Sequence, residues 1–323
     1  MKKAVVLLLL LAMAFPFVTS MTACKSQEYD TVTYLMCGYD DAGFNTDSII
    51  IAKYSFSKNE ACFLQIPRDT YYSNAPYHKI NSLFPDALSK GATKAEAMSS
   101  LKDSISEMLG IRIDAYIGYT MQTFVNLVDA IGGISLTLNS DFAIRDSAGE
   151  TILALRRGEN HLCGSDALKF VRSRNGYTSA DIGRIDAQKR FLAAFVSKVK
   201  SDVTLSNVIK LCIQPGNGWT FDAKIGDLIN ILIKNRGRIS NINTKYTNIP
   251  GAQVRDAGGV WYYSVSKPLT LSLLSDLNFT LSEQFDHAGY LLNKSNPDFI
   301  DIYNSKDLQI KVYDDRDLLS DAP

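Results

Sequence analysis

IDAYIGYTMQTFVNLVDAIGGISLTL, residues 113–138, runs from strand to helix to strand, and its reading decides the fold class. Residues 113–118 form a short apolar and aromatic run, a strand signal. Residues 121–131 carry Phe124, Leu127, Val128 and Ile131 at helical spacing, and Gly132 and Gly133 end that pattern before a second strand over 134–138. Outward from this unit the alternation continues. Strands are expected at 32–38, 48–54 and 61–66. A helix is expected over 95–109, with Met98, Leu101, Ile105 and Met108 on one face and Gly110 as the residue that ends it. Another is expected over 186–200, through Phe191, Leu192, Phe195 and Val199. Beyond residue 200 the pattern loosens, with helical signals near 205–211 and 225–233 and strands near 246–249 and 259–263, which most simply complete the same domain. The fold class is therefore mixed α/β with a layered sheet. From residue 278 the periodicity weakens, and Asp314, Asp315, Arg316 and Asp317 read as a solvated tail.

The N-terminus places the chain outside the cytoplasm. Lys2 and Lys3 precede an apolar core from Ala4 to Val18, about 15 residues, which is the pattern of an export signal and short of the roughly 20 residues of a spanning helix. Thr22-Ala23-Cys24 resembles a bacterial lipoprotein processing site, so residues 1–24 are read as a signal with Cys24 lipidated, against an ordinary cleaved signal or a retained anchor. The expected location is the outer face of the cell membrane. Basic and acidic residues balance at 34 each, which argues against a nucleic-acid partner, and export weakens that reading further. Cys37, Cys62, Cys163 and Cys212 remain after Cys24, widely spaced and without a CxxC pair; buried thiols explain Cys37 and Cys62 better than a disulfide does. His78, His161 and His287 show no pairing that suggests a catalytic thiol or zinc.

Charge is concentrated in FVRSRNGYTSADIGRIDAQKRF, residues 170–191. Read as an extended strand, it sends Arg172 and Arg174 to one face. Arg184 and Gln188, four apart, share a face of the following helix. A helix start at Ser179 or Asp181 adds free N–H groups, so the segment reads as an anion cradle. A second charged set follows the strand ends, where open α/β sheets bind ligands: Asp40, Asp47, and Arg68 with Asp69. Asp40 and Asp47 are suited to a hard cation such as Mg²⁺, but by spacing alone they read better as turn or strand-capping residues, and Arg68-Asp69 as a local ion pair.

These residues carry a family resemblance. GYD at 38–40, NTDS at 45–48, IPRDT at 66–70, HKIN at 78–81, FVNLVDAIGGI at 124–134, LRRGENHLCGSDALKFVRSR at 155–174 and DIGRIDAQKRF at 181–191 stand in the order and separation of the LytR-CpsA-Psr family of bacterial envelope phosphotransferases. The chain resembles that family most strongly over 32–200 and more faintly to about residue 263. The resemblance implies an α-β-α layered domain, with a central mixed sheet and a cleft for a polyprenyl chain, over residues 30–275, leaving 276–323 as an extension.

It also implies a reaction, in which a glycopolymer such as a teichoic acid or capsule moves from a polyprenyl diphosphate to a peptidoglycan hydroxyl, forming a phosphodiester. Some members glycosylate proteins by the same chemistry. Asp40 and Asp47 would then hold Mg²⁺, with Mn²⁺ as a substitute, while Arg68, Lys79, Arg172, Arg174, Arg184 and Gln188 would hold the diphosphate. Arg68, Asp69, Arg172 and Asp181 would form the catalytic group. Asp69 and Asp181 are both candidates for the base, and each is equally able to orient the arginine near it; Asp181 also suits a helix cap. Tyr72 stands where many members carry an arginine, Cys163 where Asp or Asn is usual, and the loop between IPRDT and KIN is short. A non-catalytic binder of such lipids, or a hydrolase that releases phosphate from them, is the alternative.

Overall fold

The computed structural model describes residues 30–40, 46–173, 180–202, 218–222, 238–281 and 293–319. The chain begins with β1 (Thr31–Tyr39), β2 (Thr46–Ser55) and β3 (Glu60–Ile66), then α1 (Leu83–Ser89), α2 (Lys94–Leu109), β4 (Ala115–Thr120) and α3 (Met121–Ala130). Four short strands follow, β5 (Ile134–Leu138), β6 (Phe142–Arg145), β7 (Thr151–Leu155) and β8 (Gly158–Leu162), with the β6–β7 hairpin lying between the paired β5 and β8. Then come α4 (Gly164–Arg172), α5 (Ala180–Asp202), β9 (Trp219–Phe221), β10 (Asn243–Asn248), β11 (Gly251–Arg255) and β12 (Trp261–Val265). Last are α6 (Lys267–Asp276), α7 (Pro297–Asn304) and α8 (Asp315–Leu319).

Six strands make the central sheet in the order β10-β3-β2-β1-β4-β9. The sheet is mixed: β10–β3 and β1–β4 are parallel, and the other neighbours antiparallel. Both faces are covered, which is why β1 is an unbroken apolar run rather than an alternating one. Val32, Tyr34 and Met36 point into a core shared with α3, α4 and α5. Leu35, Cys37 and Tyr39 point into a second core shared with α1, α2 and α6. The expected α-β-α layering is the result.

Local signals explain the element ends. Thr93 and Glu96 form a reciprocal capping box at the start of α2, and Gly110, at φ 60°, closes it in the left-handed region. At α4 the N-cap is Cys163, whose side chain makes no capping bond. Its role is taken by Asp129 of α3, which accepts from the Gly164 N–H at 2.6 Å. Glycine is required at 164, because a Cβ there would lie 2.3 Å from the Val125 carbonyl oxygen.

Two readings need correction. Residues 167–172 are helix, not strand: Ala167, Phe170 and Val171 are buried at i, i+3 and i+4, so α4 supplies Arg172 from its last turn. The acidic run at 314–317 is not a free tail. Asp315 accepts from Lys200 Nζ at 2.5 Å and from the Tyr246 hydroxyl at 2.8 Å, and Leu318 is buried. The segment beyond residue 276 packs on the domain where it is described, with Phe299 and Tyr303 both buried. Sequence patterning also missed β11 and α6, which follow short turns. Cys24, Cys212, Arg174, Ser179, His287 and the helical signals at 205–211 and 225–233 lie outside the described residues.

Cys37, Cys62 and Cys163 are free thiols. Burial pushes the Cys62 thiol up to about 12 and raises that of Cys37 too, so both are inert core groups. Among the described residues no helix is long and apolar enough to cross a membrane.

Lys53, only 2 % exposed, is a buried cation that sequence patterning does not reveal. Its Nζ donates to the carbonyls of Leu277 and Asn278, just past the end of α6, and lies 5.1 Å from the Phe279 ring. Burial lowers its pKa, but the negative end of the helix and two carbonyls keep a cation favourable there. Lys53→Met keeps the volume and leaves those carbonyls unpaired. It should destabilise the domain by about 1–3 kcal/mol, measured by urea unfolding; unchanged stability would show the carbonyls find other partners.

Candidate active site

Residues from four elements meet at the end of the sheet. The β1–β2 pairing sets Tyr39 opposite Thr46, so Asp40 and Asp47 follow adjacent strand positions. Arg68 follows β3, Arg172 ends α4, and Arg184 and Gln188 lie on α5. Asp47, Arg68, Arg172, Arg184 and Gln188 together line a polar cavity of about 460 Å³, mouth included. Three guanidinium groups there face one carboxylate, which makes the cavity cationic. The expected match of Arg184 with Gln188 on one helical face holds.

Asp47 is the hub. One of its oxygens accepts from Arg68 Nη1, and the other lies 3.5 Å from Arg172 Nη2. Asp69 lies 3.7 Å from Arg68 Nε and accepts from Lys79 Nζ at 3.0 Å. Lys79 thus joins the cluster through Asp69, and its Nζ also sits 5.3 Å from the Tyr262 ring. The loop carrying Arg68 and Asp69 is held by β12. Tyr71 N–H donates to the Tyr263 carbonyl and Tyr263 N–H to the Asp69 carbonyl, both at 2.9 Å. Asp181 lies in the first turn of α5, inside the helix rather than at its cap.

Sequence reading missed one part of the site. Gln65 of β3, 5 % exposed, donates to Gln188 Oε1, and Gln188 Nε2 donates to the Val171 carbonyl at 3.1 Å. This bond ties α5 to the sheet and to α4. A glutamine inside the apolar run ACFLQI was the available signal. The cleft that the family resemblance implies corresponds to an apolar cavity of about 860 Å³, open mouth included, between the sheet and α3, α4 and α5. Met36 and Ile50 form its floor, Phe124 and Leu127 one wall, and Phe191, Leu192 and Phe195 another. Asp47, Arg172 and Gln188 line both cavities, so the apolar chamber opens directly on the cationic pocket. Tyr119 lines the chamber, and burial pushes its phenol up to about 12.

The departures from the family pattern also find their places. Tyr72 is 2 % exposed and belongs to the second core, so the position cannot offer a cation to the pocket. Cys163 carries no capping bond, as described. Among the described residues no group of three His, Cys, Asp or Glu side chains is arranged to hold a metal. Asp47 lines the pocket, and each of its oxygens has further lone-pair capacity beyond its arginine partner, whereas Asp40 follows β1 and is not among the residues lining the pocket. Oxygen donors of this kind suit a hard divalent ion that keeps other ligands.

Comparison with known proteins matches this architecture. The LytR_cpsA_psr family profile matches residues 18–278. A cell wall biosynthesis protein, LcpA, of Corynebacterium glutamicum is 29% identical over 67% of this chain, which spans 43% of that relative's length. A polyisoprenyl-teichoic acid–peptidoglycan teichoic acid transferase, TagU, of Oceanobacillus iheyensis is 26% identical over 80% of this chain and 78% of its own. Among solved structures, protein gbs0355 from Streptococcus agalactiae superposes with a TM-score of 0.65 at 21% identity, covering 79% of this chain and 90% of that one.

Proposed function

The chain belongs to the LytR-CpsA-Psr family, and from that premise we propose that it transfers a glycopolymer from a polyprenyl diphosphate to a peptidoglycan hydroxyl on the outer face of the cell membrane. One observation carries the reading: an apolar chamber opens onto a pocket of three arginines through the shared residues Asp47, Arg172 and Gln188. A ligand that fills both has a long apolar tail and a multiply charged anionic head. The teichoic acid transferase named among the relatives acts on a donor of that description.

The residues divide the work as phosphoryl transfer demands, by positioning and charge neutralisation more than by covalent chemistry. Arg68, Arg172 and Arg184 offer planar, permanently charged forks to diphosphate oxygens. Gln188, fixed by Gln65 and the Val171 carbonyl, presents its amide at the joint between the cavities. Asp69 orients Arg68 and Lys79. Mg²⁺, held by Asp40 and Asp47, would supply further neutralisation of the diphosphate. Asp181 lies three residues ahead of Arg184 in α5 and is the carboxylate assigned to the acceptor proton. Asp181→Asn should therefore lower the transfer rate about 10²-fold while diphosphate affinity holds; an unchanged rate would remove Asp181 from this role.

The direct test uses protein lacking residues 1–24, a synthetic polyprenyl-diphosphate glycan, uncrosslinked peptidoglycan strands, and buffers with and without Mg²⁺. Transfer that depends on Mg²⁺ is the expected result. A folded sample that binds the lipid but neither transfers glycan nor releases phosphate would be a binding protein instead. Mass spectrometry of the membrane form reads Cys24 directly, and an unmodified thiol would remove the lipid anchor.

A further inference from the structure

The helix that carries Arg184 and Gln188 is packed unusually for a site element. On one side, Gln188, Phe191, Leu192 and Phe195 of α5 line the apolar chamber, although Phe191 also packs on Phe124 and Phe195. A helix flanking a void forfeits the dispersion contacts a filled core would give. The Gln65–Gln188 bond and the core contacts of α5 are then supplemented from its other side, because a site needs its groups held closely.

The hold comes from a segment beyond residue 278, where the family match ends. Tyr313 and Tyr246 exchange both backbone hydrogen bonds at 2.9 Å, which lays residue 313 along the free edge of β10. Thr247 Oγ1 donates to the Lys311 carbonyl at 2.8 Å. From that edge the segment reaches over α5 at two points. Lys189, next to Gln188 and only 5 % exposed, has its Nζ 4.7 Å from the Tyr313 ring centroid and 2.7 Å from Asp186. Three turns on, Lys200 bonds Asp315, whose other oxygen takes the Tyr246 hydroxyl. Leu318 of α8 then enters the same core as Phe191 and Phe195.

We propose that residues 310–319 are a clasp that pins α5 to the edge of the sheet, with Tyr313 and Asp315 as positioning residues for Arg184 and Gln188. The proposal rests on the reading of the arginine pocket as a diphosphate site, but its structural part does not. Two contacts on α5, at Lys189 and Lys200, add to the Gln65–Gln188 bond and the core packing in limiting its rotation and its slide along the sheet. The buried Lys189 cation is satisfied by Asp186 and the face of Tyr313, so removing the ring exposes or strands that charge.

The test compares the parent with Tyr313→Ala and Tyr313→Phe, all lacking only residues 1–24. Hydrogen exchange is read across the chain, and affinity for inorganic pyrophosphate is read by calorimetry with Mg²⁺. Tyr313→Ala should speed amide exchange over 183–190 with β1, β2 and β3 unchanged, and weaken pyrophosphate binding about tenfold. Tyr313→Phe, which keeps the ring, should restore most of both. Exchange that is unchanged in Tyr313→Ala, or that rises evenly through the sheet, overturns the clasp. Failure of the parent to bind pyrophosphate would count against the diphosphate reading alone, and the exchange pattern would still decide the clasp.

Discussion

Replacing Arg68 by alanine should lower glycopolymer transfer about 10²–10³-fold, the loss typical when one preorganised donor to a developing charge is removed. Two features of the geometry support a value this large. Arg68 Nη1 reaches Asp47 while Nε faces Asp69, so the guanidinium plane is fixed between two carboxylates before any ligand arrives. It also lines the pocket beside Arg172 and Arg184, so its loss removes one of three cations from a small enclosed volume. Arg68→Lys should recover little, because an ammonium is a point charge and cannot face both carboxylates in one plane. Stability should change by only about 1 kcal/mol although the Arg68 side chain is mostly buried, because Asp47 keeps Arg172 and Asp69 keeps Lys79 as partners. The measurements are transfer rate and melting temperature on the same samples. Wild-type rates in the alanine variant would defeat the site assignment, and a collapsed melting temperature would make Arg68 structural.

Filling the apolar chamber should separate lipid recognition from chemistry. Leu192 lines the chamber from α5 and is only partly buried, so Leu192→Trp adds bulk to the void with little displacement of packed core. Each CH₂ group kept out of an apolar site forfeits about 0.8 kcal/mol. Excluding four such groups of the prenyl chain costs about 3 kcal/mol, or roughly 200-fold in affinity. A donor with a long prenyl chain should therefore lose about two orders of magnitude in kcat/KM, while one with a very short chain keeps its rate. The check is a series of donors differing only in chain length, run on both proteins. An equal loss for short and long chains would mean the chamber does not hold the lipid.

The elements forming the centre of the domain were legible because each has a period that matches its surroundings. β1, β2 and β3 are continuous apolar runs, as strands buried on both faces must be, and α2 and α3 carry clean helical spacing with a glycine beyond each. The segment before Arg172 was misread because a short apolar run bears no clear period when its neighbours are charged. Burial of Ala167, Phe170 and Val171 identifies it as a helix only once the core is known. The acidic run at 314–317 failed for a different reason. A charged segment reads as solvated unless its partner is visible, and the partners Lys200 and Tyr246 lie 115 and 69 residues away in sequence.

By itself, the sequence determined the layered α/β class, the order of the central elements, and the identity of the charged residues at the strand ends and on α5. Those are local properties, written in periodicity, glycine placement and motif order. Motif order implied a shared site and a cleft, but only the tertiary structure decided which side chains line the pocket and the chamber, and that residues 310–319 close over α5. A void has no residue of its own, and a contact between distant segments leaves no mark in the local pattern of either. Both come into being when the two faces of the sheet are covered, and with them the difference between a set of arginines and a site.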